Sequence, residues 1–137
     1  MRDLASHLAV RRAIAPAAAI TDNTPLVSAI VDRAGFESLV FAISLGQLAD
    51  ADATFAVTLD VGDQANLSDA AAPAATHLTG TLAAASFTFA DDNATRKIGY
   101  VGAKRYARLT ITPSNNTGGA FISAVAILGD ARHSPAA

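Results

Sequence analysis

The sequence predicts an all-β fold, specifically an antiparallel β-sandwich or jelly-roll-like barrel with extended N- and C-terminal arms. In several short segments apolar residues alternate with polar ones, which is the period of a strand with one buried face. Clusters of Gly, Pro, Asn and Asp separate these segments and supply the backbone geometry of turns. No segment shows the apolar spacing of a long helix. Short strands divided by turns are typical of sandwiches and barrels.

The clearest predicted strand is Thr54–Gly62, in which Phe55, Val57 and Leu59 point to one face and polar residues point to the other. Further strands are predicted at residues 25–32, 38–46, 81–90, 107–113 and 120–129. The last of these segments is apolar on both faces. That pattern predicts a central strand that is covered on both sides.

The strand pattern places a single domain at residues 25–129. A length of 137 residues supports one modest core, and much of the 51% apolar content is alanine, which buries little area. Residues 1–24 and 130–137 have no place in the strand pattern and are predicted to be arms. The apolar patch at 13–20 is mostly alanine and contains Pro16, so it matches an export signal poorly.

Composition excludes several classes of site. The chain contains no cysteine, so disulfides and thiolate metal sites are excluded. A net charge of -2 gives no general reason to bind nucleic acid, for which a basic domain is expected. No run approaches the ~18 apolar residues of a membrane span.

Catalysis is not predicted. The histidines are His7, His77 and His133, of which two lie in the predicted arms and one follows an alanine-rich loop. No serine lies in a G-x-S-x-G turn, and no acid, base and nucleophile stand in a recognisable pattern. We therefore expect a protein that is not an enzyme and that uses no cofactor.

Paired aspartates on the predicted loops raise the possibility of a calcium site. The residues are Asp50, Asp52, Asp91 and Asp92. Calcium prefers such oxygen ligands, but the spacing does not match an EF-hand loop and no glutamate closes it. The prediction is that these carboxylates serve turns and that no metal is bound.

Both tyrosines and a cluster of basic residues lie in the stretch RKIGYVGAKRYARLTITP. It is predicted to be a hairpin, with a strand near 97–101, a turn at 102–104 and a second strand from Arg105. Tyr106 and Arg108 then share a polar face. Such a pair is favoured at protein interfaces, although a single-stranded nucleic-acid surface and a solvated face remain alternatives. The interface residues predicted here and in the N-terminal arm are Arg2, Leu4, Leu8, Arg11, Arg12, Tyr100, Lys104, Arg105, Tyr106 and Arg108.

The run DDNATRKIGYVGAKRYARLTITPSNNTGG, followed by SAVAILGDARHSPA, resembles a family of small proteins encoded in the structural modules of tailed bacteriophages and prophages. The segments RAGFESLVFAI, LADADATFAV and MRDLASHLAVRRAIAPA also match, so the resemblance covers nearly the whole chain. KIGYVGAKRYARLTITP is its distinctive part. The resemblance implies a virion structural protein without catalytic activity, made in the host cytoplasm.

Within that family, a small β domain with arms suits a capsid cement or decoration protein on the capsid surface. The expected partners are the major capsid protein and copies of the chain itself in a homo-oligomer such as a trimer, with neither nucleic acid nor membrane. A head–tail or tail-associated protein, such as a connector, spike or fibre base, is the alternative. A carbohydrate- or receptor-binding sandwich is less favoured, because the chain has no tryptophan and two tyrosines.

Overall fold

Two antiparallel sheets pack face to face in the computed structural model, which describes residues 2–133. The predicted all-β sandwich is therefore confirmed. The strands are β1 Ala9–Ile14, β2 Leu26–Val27, β3 Val31–Asp32, β4 Phe36–Leu48, β5 Thr54–Gly62, β6 Leu78–Thr79, β7 Phe87–Thr88, β8 Thr95–Tyr100, β9 Tyr106–Ser114 and β10 Ala120–Ala131. One short helix, α1, spans Leu82–Ala85. Single 3-10 turns lie at Ala5–His7, Ala75–His77 and Phe89–Asp91.

Sheet A has the strand order β1-β10-β4-β8-β6, and sheet B has the order β2-β9-β5-β7, with β3 also paired to β9. Every named pairing is antiparallel. The central strands are the long ones, whereas most edge strands have two residues. No helix in the described part of the chain is long and apolar enough to cross a membrane.

The core lies between the two sheets and is built from the predicted alternation. Phe55, Val57 and Leu59 of β5 are buried, as are Leu39 and Phe41 of β4 in the opposite sheet. Alternate residues on these strands face outward, because successive side chains of a strand point to opposite faces.

The N-terminal arm predicted at residues 1–24 is in part a strand, which corrects that prediction. Residues 9–14 form β1 and pair with β10. Ile20 makes a further bridge to Ala120. This segment lacks clean alternation, yet Ala13 and Ile14 are buried, so packing against β10 decides its structure. Residue 1 lies outside the described residues.

The C-terminal boundary also differs from the prediction. Strand β10 continues to Ala131, two residues into the predicted tail, where Ala131 still pairs with Phe36. Residues 134–137 of that predicted tail lie outside the described residues.

The segment predicted as a strand at 81–90 is mostly not one. It forms α1, the two-residue β7 and part of a 3-10 turn. Thr81 caps the helix, since its Oγ1 accepts a hydrogen bond from the Ala84 backbone N at 3.0 Å. The sequence LAAA explains the difference, because alanine and leucine have the highest helix propensity. Residues 25–32 likewise hold two two-residue strands, β2 and β3, instead of one continuous strand.

The predicted hairpin around Tyr100 is wrong in its pairing. Strand β8 lies in sheet A between β4 and β6, and β9 lies in sheet B between β2 and β5. The chain from 101 to 105 therefore crosses from one sheet to the other. Ile98 and Leu109 are both buried, each from its own sheet.

Candidate protein-docking surfaces

Tyr100 lies in the core and cannot be the interface residue that the sequence predicted. Its side chain is 1% exposed, and it occupies the last position of β8 beside Leu39 and Leu78. The Tyr100 hydroxyl accepts a hydrogen bond from the Lys104 backbone N at 3.1 Å. The phenol therefore holds the crossing segment 101–105 in place from inside.

Arg33 is buried beneath the same segment and is 7% exposed. Its Nε donates to the Lys104 carbonyl at 2.5 Å, its Nη1 donates to the Glu37 carbonyl at 3.2 Å, and its Nη2 donates to the Gly102 carbonyl. The guanidinium carbon also lies 5.2 Å from the centre of the Tyr100 ring. A buried cation is costly unless hydrogen bonds satisfy it, and here backbone carbonyls do so.

The basic cluster around Tyr100 is not a free cationic patch, because aspartates neutralise most of it. The ion pairs are Arg96–Asp91 at 2.6 Å, Lys104–Asp63 at 3.0 Å, Arg105–Asp32 at 2.8 Å and Arg108–Asp60 at 3.4 Å. A surface that binds a nucleic-acid backbone needs unpaired cations, which neutralise phosphates and displace the counterions of the nucleic acid. The paired arrangement weakens the nucleic-acid alternative.

The Arg105–Asp32 pair is bidentate, with Nε and Nη2 donating to the two carboxylate oxygens. The hydrogen bond from Arg105 lowers the pKa of Asp32. The hydrogen bond to Asp63 likewise raises the pKa of Lys104. These groups stay charged near neutral pH. Arg105 joins the crossing segment to β3, and Lys104 joins it to the loop after β5.

The outward face of sheet B is polar. Tyr106 and Arg108 lie there as predicted, half-buried, and Arg105 stacks over the Tyr106 ring at 5.0 Å. Beyond them Thr58 pairs with Thr110 across β5 and β9. The Nε of Arg108 is buried without a hydrogen-bond partner in the described chain. Contact of Tyr106 and Arg108 with a partner stays a prediction, on a face whose composition is that of a solvated sheet.

The outward face of sheet A carries more large apolar side chains than that of sheet B, although Ser44 and Ser123 also lie on it. Its apolar members, which define the sheet A outer face, are Val10, Val40, Ala42, Phe121, Val125 and Ile127. Val10 is 58% exposed, Phe121 is 46% exposed and Val125 is 37% exposed. A cavity of about 250 Å³ opens beside Phe121, between Pro16 and Gly46. Large apolar side chains grouped on one exposed face mark an interaction surface.

Two cations flank the sheet A outer face. Arg12 pairs with Val125 on one side, and Lys97 pairs with Ala42 on the other. An apolar centre between charged margins matches the usual anatomy of a protein interface.

The sequence contained a signal for this face, and it was interpreted incompletely. Segment 120–129 is apolar at nearly every position, which predicted a strand covered on both sides. In the structure β10 is central within sheet A, and its inward residues Ala124 and Leu128 are buried. Its outward residues Phe121 and Val125 remain exposed. The pattern predicts that another segment packs on this outward side of β10, and none of the described residues does so.

The predicted N-terminal interface residues fall into two groups. Arg2 and Leu4 are exposed beside the 3-10 turn, and Leu8 packs near Gly129. Arg11 and Arg12 lie on β1, at the edge of sheet A. The structure thus places Arg12 next to the sheet A outer face and Arg11 in the adjacent inward row, opposite Ala126. Both are far in sequence from Tyr106.

The loop aspartates bind backbone groups. Asp50 accepts hydrogen bonds from the backbone N of Thr117 at 2.7 Å and of Asp52 at 2.9 Å. Asp92 accepts one from the Leu48 backbone N at 2.8 Å. The described residues contain no group of three or more His, Asp or Glu side chains that could hold a metal ion.

Comparison with known proteins identifies the fold. No protein-family model matches the chain, and no curated protein matches it. Among solved structures it is similar to the SPBc2 prophage-derived protein YomS, with a TM-score of 0.52, 11% identity, and coverage of 88% of this chain and 91% of that one.

It is also similar to a chain of infectious bursal disease virus, Gx strain, with a TM-score of 0.50, 10% identity, and coverage of 88% of this chain and 31% of that one. A third likeness, to the CBM32 of AlyQ, has a TM-score of 0.40 and 14% identity and covers 90% of this chain and 99% of that one. At these identities the first two likenesses show that the β-sandwich is shared, and the third carries no argument.

Proposed function

We propose that this protein is a structural component of a tailed-phage virion without catalytic activity, and that it acts as a capsid cement or decoration protein. The observation that carries the proposal is the sheet A outer face. A polar outer face on sheet B and an apolar outer face on sheet A mean that one side of the sandwich is suited to water and the other to a protein surface. The fold shared with a prophage-derived protein and a virus chain is compatible with this role.

The proposed mechanism is non-covalent bracing of the shell. Burial of an exposed valine or phenylalanine side chain contributes about 1.5–3 kcal/mol when the side chain goes from fully exposed to fully buried. Val10, Phe121 and Val125 are partly exposed, so each contributes a fraction of that value. Many copies on one shell then sum modest contacts into a large stabilisation. The partner on this face is the major capsid protein.

A homo-oligomer, such as a trimer, remains part of the proposal, because closed symmetry multiplies weak contacts with the shell. A single chain has a mass of 13.9 kDa. Light scattering of the purified protein measures its mass in solution and so tests whether it forms an oligomer. A single-chain mass at working concentration would remove self-association from the proposal and leave the shell contact untouched.

The direct test uses shells that lack the protein. We expect purified native protein to bind such shells saturably, with many copies on each shell. The Val125→Asp variant should lose this binding, because a carboxylate would be buried in an apolar contact. Thr58→Asp makes the matched change on the polar face of sheet B and should bind as the native protein does.

Equal binding by both variants would contradict the docking face. Copy number in intact particles separates the capsid role from the alternative of a head–tail or tail-associated protein. Hundreds of copies support a cement protein, whereas one ring or a few copies would assign the chain to a connector, spike or fibre base.

A further inference from the structure

A cavity of about 530 Å³ lies at the end of sheet A where β4 begins and where β8 and β10 end. Its walls come from the turn before β4, from the crossing segment 101–105 and from Arg132, which directly follows β10. The Arg132 backbone N donates to the Gly35 carbonyl at 2.8 Å and so joins two of these walls. Binding sites for small groups commonly have volumes of roughly 300–1,000 Å³.

Three guanidinium groups and one carboxylate line this cavity. The cations belong to Arg33, Arg105 and Arg132, and the carboxylate belongs to Glu37. Glu37 is paired with Arg132 at 2.7 Å, and Asp32 is paired with Arg105 at 2.8 Å. Counted with these ion-pair partners, the lining carries three positive and two negative charges, which leaves one net positive charge.

Arg33 is the cation that has no opposite charge beside it. It is 7% exposed, and it forms no ion pair within the described part of the chain. Three of its five N–H groups donate to backbone carbonyls, which leaves two for another acceptor. The Tyr100 ring offsets a part of the charge. Because a buried charge without an opposite charge is unfavourable, an anion in the adjoining cavity would lower the free energy.

We propose that this cavity binds one carboxylate group, and that a glutamate or aspartate side chain of the protein partner presents it. The proposal rests on the proposed function for the identity of the partner and specifies what the partner must carry. Guanidinium groups match the planar geometry of a carboxylate. A carboxylate has one negative charge, which equals the net charge of the lining. A phosphate ester has about two and would be repelled more strongly by Glu37 and Asp32.

The cavity continues the sheet A outer face, which favours a protein as the source of the carboxylate. Ala131 pairs with Phe36 at the cavity, in the same alternating rows as the pair of Ile127 and Val40 on that face. Val101, another lining residue, is 55% exposed. A partner that lies on the sheet A outer face would therefore reach the cavity. The apolar stem of its acidic side chain would contact Phe36 and Val101, with the carboxylate at the arginines.

The first experiment is an NMR titration of the full chain with the peptide GTEGT, blocked at both ends, at low salt. We expect saturable shifts at the amides of residues 33–37 and 101–105 and at the Arg33 Nε–H. The matched peptide GTQGT should not cause them, because its amide has nearly the same shape without the charge. Equal shifts from the two peptides, or shifts confined to other regions, would overturn the proposal.

Other anions separate the chemistry of the bound group from its source. Sodium acetate at high concentration should displace GTEGT, and failure to do so would show that the carboxylate is not the group that is bound. The same peptide with phosphoserine in place of glutamate should bind more weakly. Tighter binding of phosphoserine would overturn the choice of a carboxylate. Sodium glucuronate that bound at least about tenfold more tightly than GTEGT would replace the protein source by a sugar acid.

Two variants of one exposed ion pair should change peptide affinity in opposite directions. Arg132→Gln removes a positive charge from the lining and should weaken binding of GTEGT about threefold. Glu37→Gln removes the competing carboxylate and should strengthen binding by a similar factor. An effect caused by loss of the ion pair alone would have the same sign in both variants, and that result would contradict the site. The control is Arg96→Gln, which breaks the pair with Asp91 outside the cavity and should leave affinity unchanged.

Shell binding distinguishes failure of this proposal from failure of the proposed function. Arg132→Gln should weaken binding to shells, and Glu37→Gln should strengthen it. If neither variant changes shell binding while Val125→Asp abolishes it, the partner's carboxylate is not bound here and the docking face stands. If Val125→Asp binds shells normally while GTEGT still binds the cavity, the docking face is wrong and the carboxylate site stands without the proposed partner.

Discussion

At the scale of single residues, Arg33 is the clearest case of a side chain whose role depends on its surroundings. It comes from the turn after β3, and it binds carbonyls in a segment about seventy positions later in the chain. No pattern in the sequence distinguishes it from the other arginines. Its contacts with Gly102, Lys104 and Tyr100 organise the crossing between the sheets. Gly102 is required there, since a Cβ would clash with the Tyr100 hydroxyl.

Replacement of Arg33 should therefore be costly. Arg33→Met removes the donor from three part-buried backbone carbonyls, and we expect it to lower the free energy of unfolding by about 3 kcal/mol. Urea unfolding at neutral pH measures the change. Arg132→Met removes an exposed ion pair instead and should leave the unfolding midpoint nearly unchanged. Similar midpoints for the two variants would show that Arg33 is not needed for the crossing.

The lowered pKa values of three aspartates make the free energy of unfolding depend on pH. Hydrogen bonds lower the pKa of Asp32, Asp50 and Asp69 from the usual 3.8, the first from Arg105 and the other two from backbone N–H groups. Because the folded pKa values are below the unfolded ones, the stabilisation is present above about pH 4 and is lost as pH falls through the folded values. Unfolding midpoints between pH 2 and pH 6 test this.

The double variant Asp50→Asn, Asp69→Asn should flatten that acid limb, because two of the shifted carboxyls are removed. Asp52→Asn, an exposed carboxylate on the same turn as Asp50, is the matched control and should retain the native slope. An unchanged slope in the double variant would contradict the assignment of acid sensitivity to these loop carboxylates.

At the scale of elements, the structure differs most from the prediction at β1, which was predicted to be part of an arm and instead pairs with β10. Residues 9–14 cover one edge of β10, and Ala9, Ala13 and Ile14 enter the core. The residues before them make a 3-10 turn without buried side chains. What was predicted as a single arm is thus an exposed segment followed by a structural strand.

Two deletions test that division. Removal of residues 2–8 should leave a folded domain with the native far-UV spectrum and cooperative unfolding. Removal of residues 2–14 should abolish cooperative unfolding or cause aggregation, because it uncovers the edge of β10 and part of the core. A folded, monodisperse product from the longer deletion would show that β1 is dispensable. The protein that lacks residues 2–8 can also be used to test whether the exposed segment binds shells.

At the scale of the whole molecule, the asymmetry between the two outward faces is the dominant feature. Both sheets contribute to one core, yet sheet B presents mainly threonines and paired charges, with Val27 at its edge, while sheet A presents valine and phenylalanine beside two serines. A sandwich that acted alone in water would have little reason for this difference. The proposed role in assembly accounts for this asymmetry.

The two faces make opposite predictions for shell binding. We expect the double variant Tyr106→Ala, Arg108→Ala to bind shells within about twofold of the native protein, because its face is polar and hydrated. Phe121→Ser with Val125→Ser should bind at least about tenfold more weakly, since it removes apolar area from the docking face. The reverse order would return the interface to the tyrosine and arginine stripe that the sequence favoured.

Alternation explains why some elements could be predicted and others could not. The period of two in Thr54–Gly62 appears unchanged as β5, because a buried face on one side and water on the other dictate it locally. The segments at 9–14 and 81–90 lack such a period, and their structures depend on β10 and on the caps and propensities of α1. The face of Tyr106 and Arg108 was predicted correctly, whereas the burial of Tyr100 required knowledge of its neighbours.

The sequence by itself determined the all-β class, the inward faces of the long strands and the apolar character of β10, since each follows from side-chain pattern along one strand. Only the tertiary structure decided that β8 and β9 belong to different sheets, that Arg33 ties the segment between them, and that β10 leaves one apolar side uncovered. Those facts depend on contacts between residues far apart in the chain. The pattern along one strand indicates which side chains are apolar, whereas the packing of distant elements determines which of those side chains are buried and which remain exposed to water.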